Sequence, residues 1–253
     1  MSNPAGMTGL EQDELTAGFQ VVVARVKFDS STATGGGRDG GNAGNTAFIP
    51  SFFYVNKLNA RTRLGLSLLA PQGGGVNYGD DFVGRYQTSR ATLAAVGISP
   101  SVGFRLTDDL SVGAGVSIVY TKFEQKIAIN QAALVGPGTP DGAVRFDNAT
   151  DWGYQPFVGL TWQATDRVLL GLVYRAEMDV NLKGDVNFRS LVIPAPDVKK
   201  VNIDWDNPQW LEGGVKYKLS DKDFLFMNAG WQDWSTFSKN KLAFAGGTVR
   251  YRF

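Results

Sequence analysis

From Arg167 to Phe188 the chain alternates with a period of two. The even positions carry Val168, Leu170, Leu172, Tyr174, Ala176, Met178, Val180, Leu182, Val186 and Phe188. After Val173 the odd positions are polar: Arg175, Glu177, Asp179, Asn181, Lys183, Asp185 and Asn187. A helix would scatter these residues around its axis, whereas a strand sorts them onto two faces. A single strand over 167–188 would be roughly 70 Å long at about 3.3 Å per residue. Strands of globular proteins usually run roughly 3–10 residues, and a tilted strand needs about 9–11 to cross the hydrocarbon of a bilayer. The pattern recurs at Val96–Leu106, Leu110–Tyr120, Trp152–Trp162 and Val201–Leu219, and in most of these the second face holds small or polar residues.

A soluble sandwich or lipocalin-like barrel would also alternate, with its apolar face turned inward. Three features favour a membrane wall. The strands are too long, aromatics such as Trp152 and Trp162 sit at strand ends as an interfacial girdle would, and the second face is rich in Gly and Ser, which suits a crowded lumen. Short polar turns at 56–60, 106–110, 163–167 and 219–223 alternate with longer Gly- and Pro-rich connections at 30–45, 72–90, 129–151 and 188–200. That alternation predicts an all-β, antiparallel up-and-down transmembrane barrel of about ten strands. They start near Leu15, Ala47, Thr62, Ala91, Leu110, Trp152, Arg167, Lys199, Lys222 and Lys241. The last strand is expected to close on the first. Its end, Val249–Phe253, resembles the signal read by the outer-membrane assembly machinery.

Composition narrows the chemistry. The 253 residues carry a net charge of +1 without a basic excess, so no nucleic-acid partner is expected. With no Cys and no His, the commonest nucleophiles, bases and zinc ligands are missing, and neither an enzyme, a metal site nor a cofactor is expected. No run of 18 apolar residues supplies a membrane helix, and the N-terminus shows no signal peptide. Because an outer-membrane protein is exported, the chain is expected to begin downstream of its natural start.

Several motifs, in order, resemble the FadL/TodX-type (OMPP1) outer-membrane transporters of long-chain fatty acids and hydrocarbons. They are Asn3-Pro4-Ala5-Gly6-Met7-Thr8, Gly84-Arg85-Tyr86, Ile98-Ser99-Pro100-Ser101-Val102-Gly103, Tyr174-Arg175-Ala176-Glu177, Pro208-Gln209-Trp210 and Trp231–Phe237. The family has fourteen strands and a longer plug, so the chain resembles a shortened member or a fragment. The resemblance implies residues 1–14 as the remnant of an N-terminal hatch, with the motif Asn3, Pro4 and Ala5, and residues 15–253 as the barrel. It implies passive transport of a hydrophobic small molecule or fatty acid, with outer-membrane lipid, lipopolysaccharide and the barrel assembly machinery as partners. It also implies a lateral exit at a kink in the third strand. Here that stretch holds Ala70, Pro71, Gly73, Gly74 and Gly75, where proline cannot donate to a ladder and glycines add freedom; an ordinary flexible extracellular loop would read the same way. Arg85, Lys122 and Arg175 are the candidate cations for a carboxylate. By the alternation Lys122 falls on the outward series, and Arg175 sits beside Glu177 and Asp179 as part of a charge network in the lumen. Arg250 and Arg252 are expected to face inward toward acids such as Asp204 and Asp206. A small structural or adhesive barrel, or a transport-inactive one, is the alternative reading.

Overall fold

A computed structural model describes the backbone of residues 3–33, 36–239, 241–244 and 247–250, with side chains as far as residue 236. One antiparallel sheet holds all thirteen strand segments. The first six are β1 (Glu14–Val23), β2 (Thr46–Lys57), β3 (Thr62–Asn77), β4 (Arg90–Arg105), β5 (Leu110–Ile129) and β6 (Gly142–Thr165), each paired with the next. β5 and β6 are 20 and 24 residues long, beyond what a globular sheet uses. Two stretches expected as loop are strand: β3 continues to Asn77, and β6 begins at Gly142.

The next three walls are each broken into two pieces. β7 (Val168–Arg175) is followed by β8 (Asn181–Arg189), β9 (Lys200–Asp204) by β10 (Trp210–Lys218), and β11 (Phe224–Gln232) by β12 (Lys241–Phe244); β13 (Gly247–Arg250) ends the sheet. Below the breaks the order is β6, β7, β10, β11, and above them β6, β8, β9, β12, β13. The breaks therefore lie at one height. Backbone groups there still find partners: Met178 and Asn207 form a bridge, and the Trp205 amide donates to the Val180 carbonyl at 2.7 Å. An unpaired amide or carbonyl in a water-poor wall would cost several kcal/mol, which is why the breaks are stitched rather than open.

The expected single strand over 167–188 is thus corrected to two strands whose faces are exchanged. Below the break the even residues point outward, with Leu172 46% exposed. Above it Val180, Leu182 and Val186 are buried and point inward. β6 makes the same exchange through an irregularity between Asp147 and Thr150, where Asn148 takes a positive φ of 53°. Asn tolerates that backbone region better than most residues. As a result Phe146, Ala149, Val180, Leu182, Val201 and Ile203 meet in an apolar core inside the upper half of the wall. Period-two alternation cannot register this exchange, because an inserted or skipped residue leaves the apolar sequence pattern unbroken while reversing its direction.

Outside, Trp152, Tyr154 and Trp162 are exposed, and the Tyr120 and Trp152 rings lie 5.1 Å apart, as an aromatic belt at a membrane interface requires. The sheet curls back on itself, since Gln72 of β3 hydrogen-bonds Asn207 between β9 and β10. The expected closure of the last strand on the first is not found among the described residues: no ladder joins β1 to β11, β12 or β13, and β1 and β11 are exposed along their whole length. Arg252 and Phe253 lie outside the described residues, as does the side chain of Arg250.

The exchange of faces separates two leucines that the sequence pattern treats alike. Leu182→Ala is expected to cost about 2–5 kcal/mol, as a fully buried leucine does. Leu172→Arg is expected to cost about 2–4 kcal/mol as a charge placed in lipid. Folding titrations in lipid vesicles check both, together with Leu172→Ala, which is expected to cost much less than Leu182→Ala.

Candidate functional site

The base of the lumen is filled by the first residues of the chain. Pro4–Gly9 forms a 3-10 helix capped by Asn3, whose Oδ1 accepts from the Ala5 amide at 3.0 Å. Pro suits this start because its ring presets φ and its missing N–H leaves no orphan donor. Pro4, Ala5, Met7 and Thr8 are buried. The Asn3 side chain donates to the carbonyls of Leu160 on β6 and Leu172 on β7, at 2.9 and 3.1 Å. Thr8 Oγ1 meets Ser111 Oγ at 2.7 Å, and the guanidinium groups of Arg105 and Arg63 donate to the Thr8 and Leu10 carbonyls. The helix seats this closely because the wall beneath it lacks side chains. A Cβ on Gly113 would stand 2.6 Å from the Ala5 nitrogen, and one on Gly159 would overlap Asn3. The small-residue face of the strands is the socket for this segment.

Above the plug and below the apolar core lies a cavity of about 410 Å³, inside the range of small-molecule sites. Leu69, Val119, Met178, Trp210 and Trp234 supply its apolar lining, and Arg175 at the end of β7 supplies its cation. The guanidinium carbon of Arg175 sits 4.3 Å from the Phe157 ring centre and 5.4 Å from that of Trp210. Its Nη1 donates to Ser117 Oγ at 3.2 Å, while its buried Nε has no partner. The expected charge network with Glu177 and Asp179 is not what the structure places here, because the wall breaks immediately after Arg175. Glu177 instead accepts from Thr236 Oγ1. Glu177, Asp179 and Asp206 come together within the breaks themselves, within 4.8 Å of one another. A buried, incompletely satisfied cation is costly in a low-dielectric site, and a carboxylate from a ligand would satisfy it.

The cavity reaches the wall at β3. The register of β3 on β4 shifts between Leu69 and Gln72, so Ala70 and Pro71 stand outside the ladder, and Pro71 lines the cavity. On its other side β3 pairs with β2 only from Phe52↔Leu68 down to Lys57↔Arg63. Above that pair, β2 bonds to β1 alone and Gln72–Gly75 to β4 alone. The next link upward is the isolated bridge Gly44↔Val76, beside the bond from the Asn77 amide to the Ala43 carbonyl at 2.9 Å. A stretch of wall between β2 and β3 is therefore unladdered, at the height of the cavity. Gly73, Gly74 and Gly75 border this unladdered stretch on the β2 side, while their β4 side stays regular, in register with Ala94, Leu93 and Thr92.

The other two candidate cations lie elsewhere. Arg85 is committed to the long connections, donating to Asp141 at 2.7 Å, to the Gly36 and Phe82 carbonyls and to Tyr86. The Asp141 hydrogen bond is the main cause raising its pKa above the ordinary arginine value. Lys122 is on the outward series, paired with Glu124 at 2.8 Å and half exposed, in keeping with the alternation. Neither lines the cavity. Gln72, Phe157 and Asn207 were missed by sequence reasoning. Gln72 lies in a Gly-rich stretch that looked like loop, and Asn207 adjoins the Pro208-Gln209-Trp210 motif without any pattern of its own.

Residues 1–251 match the family model described as outer membrane protein transport protein (OMPP1/FadL/TodX). A long-chain fatty acid transport protein of Escherichia coli O6:H1 is 24% identical over 76% of the chain and 46% of its own length. The crystal structure of a Pseudomonas aeruginosa FadL homologue superposes with a TM-score of 0.80, at 24% identity, over 99% of this chain and 68% of that one. That of the Ralstonia pickettii toluene transporter TbuX superposes with a TM-score of 0.78, at 22% identity, over 99% and 73%. Curated relatives matching nearly all of the chain are longer, and it spans 60–64% of their length.

The fit of the plug can be tested in a chain free of native cysteine. Met7→Cys, at a site 1% exposed, is expected to resist maleimide labelling in folded protein. Adding Gly113→Val, which sets side-chain atoms against the Ala5 backbone, is expected to make it label rapidly. Equal labelling of the two proteins would contradict the seating described.

Proposed function

The chain belongs to the outer membrane protein transport family (OMPP1/FadL/TodX), and from that premise we propose that it passes a hydrophobic compound with an acidic headgroup, such as a long-chain fatty acid, passively across the outer membrane. In this reading residues 1–14 act as a hatch remnant inside the barrel of residues 15–253. The ligand rests with its carboxylate on Arg175 and its chain against Leu69, Val119 and Trp210. It leaves sideways past Ala70 and Pro71, between β2 and β3. Outer-membrane lipid and lipopolysaccharide surround the aromatic belt, and the barrel assembly machinery inserts the wall.

One observation carries this reading: an incompletely satisfied cation in an apolar cavity that abuts an unladdered stretch of wall. The plug beneath the cavity supports a lateral rather than an axial route, because Asn3, Thr8 and Leu10 are each held by hydrogen bonds to the wall. A hydrophobic solute gains from such a path, since it enters lipid without crossing the polar periplasmic face. The apolar core that fills the upper lumen favours the second reading, a transport-inactive barrel. Toluene is what the TbuX relative is named for, and a neutral hydrocarbon would have no use for Arg175.

Uptake of a labelled long-chain fatty acid by cells carrying only this barrel tests the proposal. Arg175→Leu is expected to lower uptake by about tenfold or more, the scale of a lost charge-assisted hydrogen bond. Its folding stability is expected to hold or rise, because a costly buried charge has gone, and Arg175→Lys is expected to restore part of the uptake. Toluene entry insensitive to Arg175→Leu would move the substrate class to neutral hydrocarbons. No uptake of either compound above an empty-vector control would leave the inactive barrel.

A further inference from the structure

The bulge beside the unladdered stretch is tied down from inside the lumen. β3 turns its alternate side chains inward, and at the bulge that series resumes with Gln72, opposite Ala95 of β4. The Gln72 amide reaches across the lumen. Its Nε2 donates to Asn207 Oδ1, and its Oε1 accepts from Trp205 Nε1 at 3.3 Å. Both partners lie in the break between β9 and β10, and both are held there. Asn207 is 7% exposed and exchanges backbone hydrogen bonds with Met178 at 2.8 and 3.0 Å. Trp205 stacks on Phe123, 6.0 Å between ring centres, at the edge of the apolar core. The tie thus runs from a fixed anchor to the loosest part of the wall, where Ala70 and Pro71 make no ladder bond and the β2 side is unpaired.

We propose that Gln72 is an internal latch on the lateral route: bonded to Asn207 and Trp205 it holds the β3 bulge inward against the cavity, and its release lets the bulge move out and frees the path between β2 and β3. The inference rests on the transport reading above and adds a residue that controls the rate of exit while leaving the ligand's seat on Arg175 untouched. The chemistry suits the role. The latch is a neutral amide pair beside an indole N–H, so breaking it exposes no charge, and a hydrophobic chain sliding between Gln72 and Asn207 separates the partners without a protonation step. Gln72 is a positioning residue, since it acts through the bulge.

Two variants test it in cells carrying only this barrel, with the purified protein assayed in parallel for equilibrium binding of the same fatty acid by tryptophan fluorescence. Gln72→Leu keeps the side-chain volume and removes the tie, and uptake is expected to rise about tenfold, the population shift from two lost side-chain hydrogen bonds. In the pair Gln72→Cys and Asn207→Cys, a short reductant-cleavable bifunctional thiol reagent is expected to abolish uptake, and reductant to restore it. Both residues also line the cavity, so uptake is expected to change by a larger factor than binding does, and a change in uptake matched by an equal change in binding would overturn the latch. If the cross-linked barrel transports as fast as the reduced one, or Gln72→Leu leaves uptake at the parent rate, the latch is overturned while the transport reading stands. If the parent barrel itself gives no uptake, the transport reading fails and the latch with it.

Discussion

Backbone amides and carbonyls inside a membrane have no water to turn to, so every interruption of the wall must be stitched by some other partner. This constraint organises the molecule. Where β7 gives way to β8 and β9 to β10, the bridge between Met178 and Asn207 and the bond from Trp205 to Val180 replace the lost ladder. Where β3 bulges, Pro71 has no amide hydrogen to leave unsatisfied. The irregularities are neither scattered nor equal. Those of the broken strands are stitched and lie at one height, while the stretch between β2 and β3 above the Phe52↔Leu68 pair is not laddered.

The same breaks divide the lumen. Because the strands exchange faces as they cross this height, apolar side chains that would have pointed into lipid turn inward and pack as the upper core. The plug fills the base, since Gly113 and Gly159 leave it room. What remains between plug and core is a cavity of about 410 Å³, and Arg175 ends up in it because β7 stops there, taking the cation away from the acids that follow it in sequence. The position of the cation follows from the break after β7, and the loosened wall follows from a separate irregularity, the bulge of β3 at Ala70 and Pro71.

Much of the fold was legible in the sequence. The alternation around Leu110–Tyr120 and Trp152–Trp162, the short polar turns and the terminal aromatics define an antiparallel membrane wall, and the motif Asn3-Pro4-Ala5 marks the segment inside it. Pro71 falls at the register shift of β3, where a residue without an amide hydrogen leaves no donor unsatisfied. The breaks were not legible. Leu172 and Leu182 belong to one unbroken even series, yet one faces lipid and the other the core, and only three-dimensional pairing shows where the series reverses. The run Gly73–Gly75 reads as flexible throughout, yet it pairs regularly with β4 and lacks a ladder only on its β2 side, a difference between two edges that sequence does not show. Gln72 and Asn207, 135 positions apart, carry no local signature because their relation exists only after the sheet curls.

The central claim is that a ligand leaves the cavity through the side of the wall and not through its base. A photoactivatable long-chain fatty acid, cross-linked during uptake and mapped by mass spectrometry, tests this most directly. The account places the adducts on cavity residues such as Val119 and Trp210 and on Ile49, Pro71 and their neighbours in β2 and β3. Adducts concentrated on Thr8, Arg63 and Ser111, around the plug, would contradict it.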